Sequence, residues 1–316
     1  MTRAFTAACV QVEPAVLDRD ATLERLERVT AEAAGQGATL VVFPEAFVSV
    51  YPSSVWAKAL AGWSSAEAKA AFAAVARTAL AIPGPDADRI GDAARDNGVV
   101  LAVGVTEVEP DRPGTLYNTL LLYDLDGTLA LKHRKLVPTN HERLVWGPGD
   151  GNGLHSAATG VGRVGGLICW ENYMPLARFA LYDSGLEVYL APTADDGEHW
   201  QSTLVHIARE SRAYVISPCH FQRAAAYPAD FPLRGELDGV EIIGRGGSAI
   251  LGPDGAYLAG PLYDEEGVLY AELDPNRLFE ERQRFDPVGH YHRPDVLSLT
   301  VRANPPRMQR WSRSSS

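Results

Sequence analysis

Apolar positions follow two rhythms along this chain. Short continuous runs of branched and small apolar residues alternate with longer stretches whose apolar residues recur every three or four positions. Phe5–Val12 is a run of the first kind and predicts a strand. Asp18–Ala34 is of the second kind: Leu23, Leu26, Val29 and Ala33 make one helix face, with Gly35 and Gly37 to stop it. Thr39–Phe43 predicts a buried strand. Ser65–Ala81 predicts an Ala-rich helix capped by Ser64 or Ser65 and ended by Pro83-Gly84-Pro85, and Asp86–Asn97 predicts a shorter one closed by Gly98. Val99–Val105 is again a strand.

Beyond this the rhythm shortens. Asn118–Asp124 and Thr128–Arg134 predict a hairpin about Asp126-Gly127. Gly147–Gly153 reads as a loop. Val164–Ile168, Val188–Leu190 and Tyr214–Ser217 read as strands, with helices over Met174–Asp183 and His199–Ser211 between them. Ser248–Leu251 and Ala256–Gly260 suggest a second hairpin, and Gly267–Leu273 a last strand. No linker-like segment or internal repeat divides the chain. The pattern predicts one α/β domain with a large mixed sheet system over residues 1–306, then a polar, basic tail, Arg307–Ser316, expected to be disordered.

Composition narrows the function. The chain has 316 residues, 46% hydrophobic and 22% charged, which is ordinary for a folded protein. Forty acidic against 29 basic residues give a net charge of −11, which argues against nucleic acid or an anionic membrane as partner. No apolar run approaches the ~20 residues of a membrane span. The amino terminus lacks the features of a secretory signal, and the three cysteines are odd in number and widely spaced. The expectation is free thiols in a reducing cytoplasm. The eight histidines are scattered, so no metal site is proposed. Gly160–Gly165 (GVGRVG) matches a dinucleotide-binding pattern, but a strand rather than a helix follows it, so dinucleotide binding is not expected.

Three places are chemically loaded. Phe43-Pro44-Glu45 puts a carboxylate directly after a buried strand. Lys132-His133-Arg134-Lys135 closes a hairpin strand with cations. Gly166–Asn172 places Cys169 where an apolar strand turns polar. Taken singly, these read as a solvated loop glutamate, a basic turn and a packed thiol. Together they suggest cysteine nucleophilic catalysis, because a thiol needs a base to become a thiolate and a cation favours the charged form. Cys9 and Cys219 read as packed.

The order Glu–Lys–Cys, within FPEAF, KHRKLVPTNHERLVWGPGDG and GLICWENYMPLAR, resembles the nitrilase superfamily of carbon–nitrogen hydrolases. Cys-Trp-Glu-Asn at 169–172 resembles its nitrilase branch. Ile82–Pro85, Trp200–Arg212 and Val288–Asp295 agree, and the likeness runs over about residues 5–303. The resemblance implies a four-layer α-β-β-α sandwich. It implies Cys169 as nucleophile, Glu45 as general base and Lys135 as the cation that stabilises developing charge. Glu142 would be the second glutamate that positions substrate and Lys135, and the Trp170 backbone N–H a further donor. It implies no metal and no organic cofactor.

The expected reaction is hydrolysis of organic nitriles to carboxylic acids and ammonia through a covalent thioimidate and thioester, with nitrile and water as the small-molecule partners. The alternative is an amidase or a cyanide-processing relative with the same triad. A homodimer or larger homo-oligomer is expected. Tyr51, Trp56, Trp170 and Trp200 are candidates to line a pocket for an apolar substituent; core packing is their other role. Ser49–Trp56 and Ala194–Glu198 depart from the commoner family forms, and both are expected near the pocket mouth.

Overall fold

The computed structural model describes Met1 and residues 3–303. The tail expected at 307–316 lies outside the described residues.

The first half builds one sheet and its helices. Strand β1 (Phe5–Gln11) leads to helix α1 (Arg19–Gly35), whose start is capped by the Asp18 side chain accepting from the Ala21 N–H at 3.0 Å. β2 (Ala38–Val42), a short helix α2 (Ser54–Ala57), α3 (Ala66–Thr78), β3 (Leu80–Ala81) and α4 (Pro85–Asn97) follow. Then come β4 (Val100–Glu109), β5 (Arg112–Tyr123) and β6 (Leu129–Arg134). The second half contributes β7 (Ala157–Thr159), β8 (Gly162–Gly166), α5 (Pro175–Asp183), β9 (Val188–Leu190), α6 (Glu198–Ser211) and β10 (Tyr214–Ser217). β11 (Phe221–Arg223), β12 (Ile242–Leu251), β13 (Tyr257–Tyr263), β14 (Gly267–Leu273) and α7 (Pro275–Arg284) complete the described chain.

Two seven-stranded sheets result. One runs β14-β1-β2-β4-β5-β6 with β3 on β4. The other runs β11-β12-β10-β9-β8-β7 with β13 on β12. Their layering follows from the period of two. In β1, Ala8 and Val10 join Leu23, Leu26 and Val29 of α1 and Ile90 of α4, while Ala7 and Cys9 face the other sheet. In β4, Leu101 and Val103 face helices and Val100 and Ala102 face inward. In the second sheet Val215 packs on Leu204 and Ile207 of α6, while Tyr214 and Ile216 meet the inner faces of the first sheet. Helices thus cover both outer faces, and the expected α-β-β-α sandwich is observed.

Two predicted elements change, and one helix is new. The helix expected over Ser65–Ala81 ends at Thr78, because Leu80 and Ala81 pair in parallel with Glu107 and Val108 of β4. The strand expected to reach Ile168 stops at Gly166, so Cys169 opens a separate 3₁₀ turn, Cys169–Tyr173. Helix α7 was unanticipated, although Asp274-Pro275 supplies a cap and a first-turn proline. The GVGRVG stretch leads into β8 and no helix opens there.

Gly104 of β4 shows how closely the first sheet holds the loop after β2. Its N–H donates to the Pro44 carbonyl at 3.1 Å, and a Cβ there would lie 2.6 Å from Glu45 Cα and closer still to Pro44 O. Gly104→Ala is expected to destabilise the protein by about 1–3 kcal/mol through overpacking, and to lower activity by displacing Glu45. Urea unfolding with rate measurement checks this; an unchanged midpoint and rate would contradict it.

Candidate active site

Each loaded residue leaves the carboxyl end of a strand. Glu45 follows β2, Lys135 follows β6 and Cys169 follows β8; Thr193 and His220 follow β9 and β10. β2 and β4 are parallel, as are β8, β9 and β10, so strand ends from both sheets converge where α/β folds build sites.

Lys135 sits at the centre. Its Nζ donates to Glu45 Oε1 at 2.8 Å and Glu142 Oε2 at 2.7 Å, and the side chains of all three are fully buried. The backbone explains the placement: the Lys135 N–H continues the ladder past β6 by donating to the Asn118 carbonyl at 2.8 Å. Alternation along β6 sorts the basic run. Lys132 and Arg134 turn to Glu107 at 2.8 and 2.9 Å, while buried His133 turns the other way and pairs with Glu171 at 2.9 Å. Only Lys135, the fourth residue of the run, reaches the two glutamates.

The two glutamates differ in their company. Glu142 Oε1 accepts from the Tyr51 hydroxyl at 2.8 Å, and its Oε2 also accepts from the Thr139 N–H at 2.7 Å. Glu45 Oε1 accepts from Asn118 Nδ2 at 2.7 Å, and its buried Oε2 has no partner. Burial lifts the Glu45 carboxyl to about 7; Lys135 pulls it down and Glu142 pushes it up. For Lys135, burial works against the charge, but Glu45, Cys169 and Glu142 outweigh it and hold the ammonium above the usual lysine range.

Cys169 has φ +52°, in the left-handed region that non-glycine residues rarely occupy. Several bonds hold it there. Its N–H donates to Pro192 O at 2.9 Å, and Asn172 Nδ2 donates to the carbonyls of Leu167 and Cys169 at 2.9 and 2.8 Å. Tyr189 fixes Asn172 in turn at 2.6 Å. Glu171 ties this turn to the lysine segment: Oε2 accepts from the Ile168 N–H at 2.6 Å and Oε1 from the Leu136 N–H at 2.9 Å. The Thr193 hydroxyl donates to Cys169 Sγ at 3.1 Å. Burial pushes the thiol up and Glu45 adds to the rise, while Lys135 and Thr193 oppose it, so the resting group is a neutral thiol.

Cys169, Glu142 and Tyr51 line a cavity of about 410 Å³ that Trp170 also borders. The indole of half-exposed Trp170 donates to Asp195 Oδ2 at 2.7 Å. Trp56 and Trp200 are not among the lining residues. Both are fully buried in core clusters, where their indoles donate to Tyr227 and Ser217 at 2.7 and 3.1 Å. The expected aromatic, apolar pocket is therefore corrected: two of its four rings are core, and most lining residues are polar.

Asn118, Glu171, Thr193 and His220 were not anticipated as site residues. An asparagine inside the apolar run of β5 was a usable signal; Thr193 and His220 have no local pattern and become visible only through the parallel strand ends. Among the described residues, no group of three or more His, Cys, Asp or Glu side chains is arranged to hold a metal ion, and no helix is long and apolar enough to cross a membrane.

The sequence profile of the carbon–nitrogen hydrolase family matches residues 6–283. An aliphatic nitrilase of Sinorhizobium fredii is 42% identical over 301 residues, covering 95% of this chain and 96% of that one. Nitrilase 1 of Arabidopsis thaliana is 41% identical, covering 94% and 86%. A bifunctional nitrilase/nitrile hydratase of Nicotiana tabacum is 43% identical, covering 95% and 87%. The crystal structure of a carbon–nitrogen hydrolase from Helicobacter pylori G27 superposes with a TM-score of 0.70 at 22% identity, covering 93% of this chain and 96% of that one; it bears on the fold alone. The chain belongs to the carbon–nitrogen hydrolase family, and its similarity is to the nitrilase branch.

Glu45 passes from acid to carboxylate as pH rises through about 7. A step that needs its basic form should weaken about tenfold per pH unit below that point. Labelling of Cys169 by iodoacetamide, read by peptide mapping, should show this acidic limb in the wild type and lose it in Glu45→Gln. A rate independent of pH between about 5 and 8 would contradict it.

Proposed function

We propose that this protein is a nitrilase that converts organic nitriles to carboxylic acids and ammonia. The observation that carries the reading is the buried Glu45–Lys135–Glu142 cluster beside a cysteine on a cavity, in a chain 41–43% identical to named nitrilases.

In the proposed sequence Glu45 takes the Cys169 thiol proton as sulfur attacks the nitrile carbon. A thiol held neutral by burial needs a base at that moment, and a carboxyl near 7 suits the task at neutral pH. The C≡N bond loses one π bond as the C–S bond forms, and nitrogen takes up the proton, giving a thioimidate. Lys135 and the Trp170 backbone N–H stabilise the developing negative charge on nitrogen. Water, deprotonated by Glu45, adds to the thioimidate carbon. Loss of ammonia leaves a thioester, which a second water cleaves to the acid and the free thiol. If the first tetrahedral adduct expels sulfur instead, an amide leaves, so some amide is an expected co-product; the Nicotiana tabacum relative is named for both activities. Glu142 holds Lys135 and the substrate in register.

A single catalytic domain over residues 1–306 is supported by the family match to residues 6–283. The cytoplasm is the proposed compartment, supported by three free, buried cysteines. A homodimer or larger homo-oligomer is proposed because Tyr173, just before α5, and Leu176, in its first turn, expose large apolar side chains; size-exclusion chromatography reads this directly.

Ammonia release from aliphatic and aromatic nitriles, cyanide and the matching amides tests the activity. Nitriles should be hydrolysed. Cys169→Ala should be inactive with an unchanged melting temperature, and Glu45→Gln should lose about 10²–10⁴-fold. Hydrolysis of amides only, or wild-type rates in Cys169→Ala, would refute the proposal.

A further inference from the structure

The wall of the cavity carries chemistry that the reaction at Cys169 does not use, and what it implies about the substrate rests on the nitrilase reading. Three carboxylates line it (Glu142, Asp195 and Asp196) and no lysine or arginine does. Lys135, which bonds the lining residue Glu142, is fully buried and already shared by Glu45 and Glu142. A nitrile bearing a negative group would therefore meet no counter-charge and several like charges.

The three carboxylates are not equally free. Both oxygens of Glu142 are occupied, as described above. Asp195 Oδ2 accepts from Trp170 Nε1 at 2.7 Å and pairs with His199 Nε2 at 3.0 Å, and its Oδ1 accepts from the Gly197 N–H at 3.0 Å. Asp196 accepts only the Arg245 backbone N–H, at 3.0 Å on Oδ2. The Arg245 guanidinium turns away to Asp264 at 2.8 Å. Asp196 Oδ1 is thus unpartnered among the described residues.

A second lining residue points the same way. His220 is 3% exposed, and its Nε2 meets the Glu45 carbonyl oxygen, which only accepts; Nε2 therefore carries the proton. The other ring nitrogen, Nδ1, is then an acceptor, and it too is buried and unpartnered. Burial lowers the imidazole to about 4, so it stays neutral at working pH. Asp196 and His220 both line the cavity, and each carries an acceptor atom without a donor among the described residues.

We propose that this enzyme selects small polar nitriles whose substituent carries an N–H or O–H donor, an ammonium above all, and that Asp196 is the residue that selects it. Both aspartates of the lining come from the one short stretch Ala194–Glu198. Asp196 touches no reacting atom in this account; it is a specificity residue.

The test compares 4-aminobutyronitrile, its uncharged isostere valeronitrile, and 3-cyanopropanoate at pH 8, with acid formation read by liquid chromatography and mass spectrometry. Wild type and Asp196→Asn are measured; asparagine keeps an acceptor for the Arg245 N–H. In the wild type, kcat/KM for the amino nitrile should exceed that for valeronitrile by about tenfold or more, with the carboxylate slowest. In Asp196→Asn the amino nitrile and valeronitrile should come within about threefold of each other, with the valeronitrile value within about twofold of wild type. Raising salt from about 0.05 to 0.5 M should independently shrink the wild-type preference, which keeps the test decisive should the variant fold poorly. Valeronitrile turned over as well as the amino nitrile, a preference intact in Asp196→Asn, or a salt-independent preference would overturn the inference and leave the nitrilase reading standing. No hydrolysis of any nitrile would overturn both.

Discussion

One buried ammonium shared by two buried carboxylates governs this site. Charges of this kind are costly to remove from water and tolerable only when paired with good geometry. Lys135 meets that demand at 2.8 and 2.7 Å, but one positive charge cannot fully compensate two negative ones. The imbalance falls on Glu45. Glu142 has the Tyr51 hydroxyl and the Thr139 N–H besides the lysine, whereas Glu45 has Asn118 and an oxygen with no partner. Burial leaves the Glu45 carboxyl titrating near 7, able to take a proton and return it. Hydrogen bonds from Lys135 and Asn118 to one Glu45 oxygen offset that burial only in part.

The sandwich makes such a cluster possible. Burying a lysine needs rigid backbone on every side, and strands supply it: β2 and β6 from one sheet carry Glu45 and Lys135, and β8 to β10 from the other carry the cysteine turn, Thr193 and His220. Glu171 joins the halves, bonding Ile168 in the cysteine turn and both His133 and Leu136 beside the lysine. The left-handed backbone of Cys169 is held by Pro192 from the strand end after β9 and by Asn172 in its own turn.

Much of this was legible before any coordinates. Strands β1, β4 and β10 were legible as short apolar runs, and the order of FPEAF, the lysine segment and Cys-Trp-Glu-Asn pointed to the cluster. What could not be read were contacts that depend on the sheets meeting. Trp56 and Trp200 look like pocket walls in sequence because a large ring serves equally in a core, and only their burial decides. Helix α3 was drawn too long because alanine favours helix, while pairing with β4 claimed Leu80 and Ala81. His220 offered no pattern; its role as a wall depends on β10 ending beside β2. The polar lining likewise comes from loops distant in sequence.

The central claim is that Cys169, primed by Glu45 above a shared lysine, is the atom that bonds to substrate. Rapid acid quench of the enzyme turning over a nitrile, followed by peptide mapping with mass spectrometry, reads that bond directly. The adduct is expected on the peptide carrying Cys169 alone, with the mass of the added nitrile or of its acyl group, and it should be absent in Cys169→Ala. Turnover with no adduct on Cys169, or with adducts on Cys9 or Cys219 instead, would contradict it.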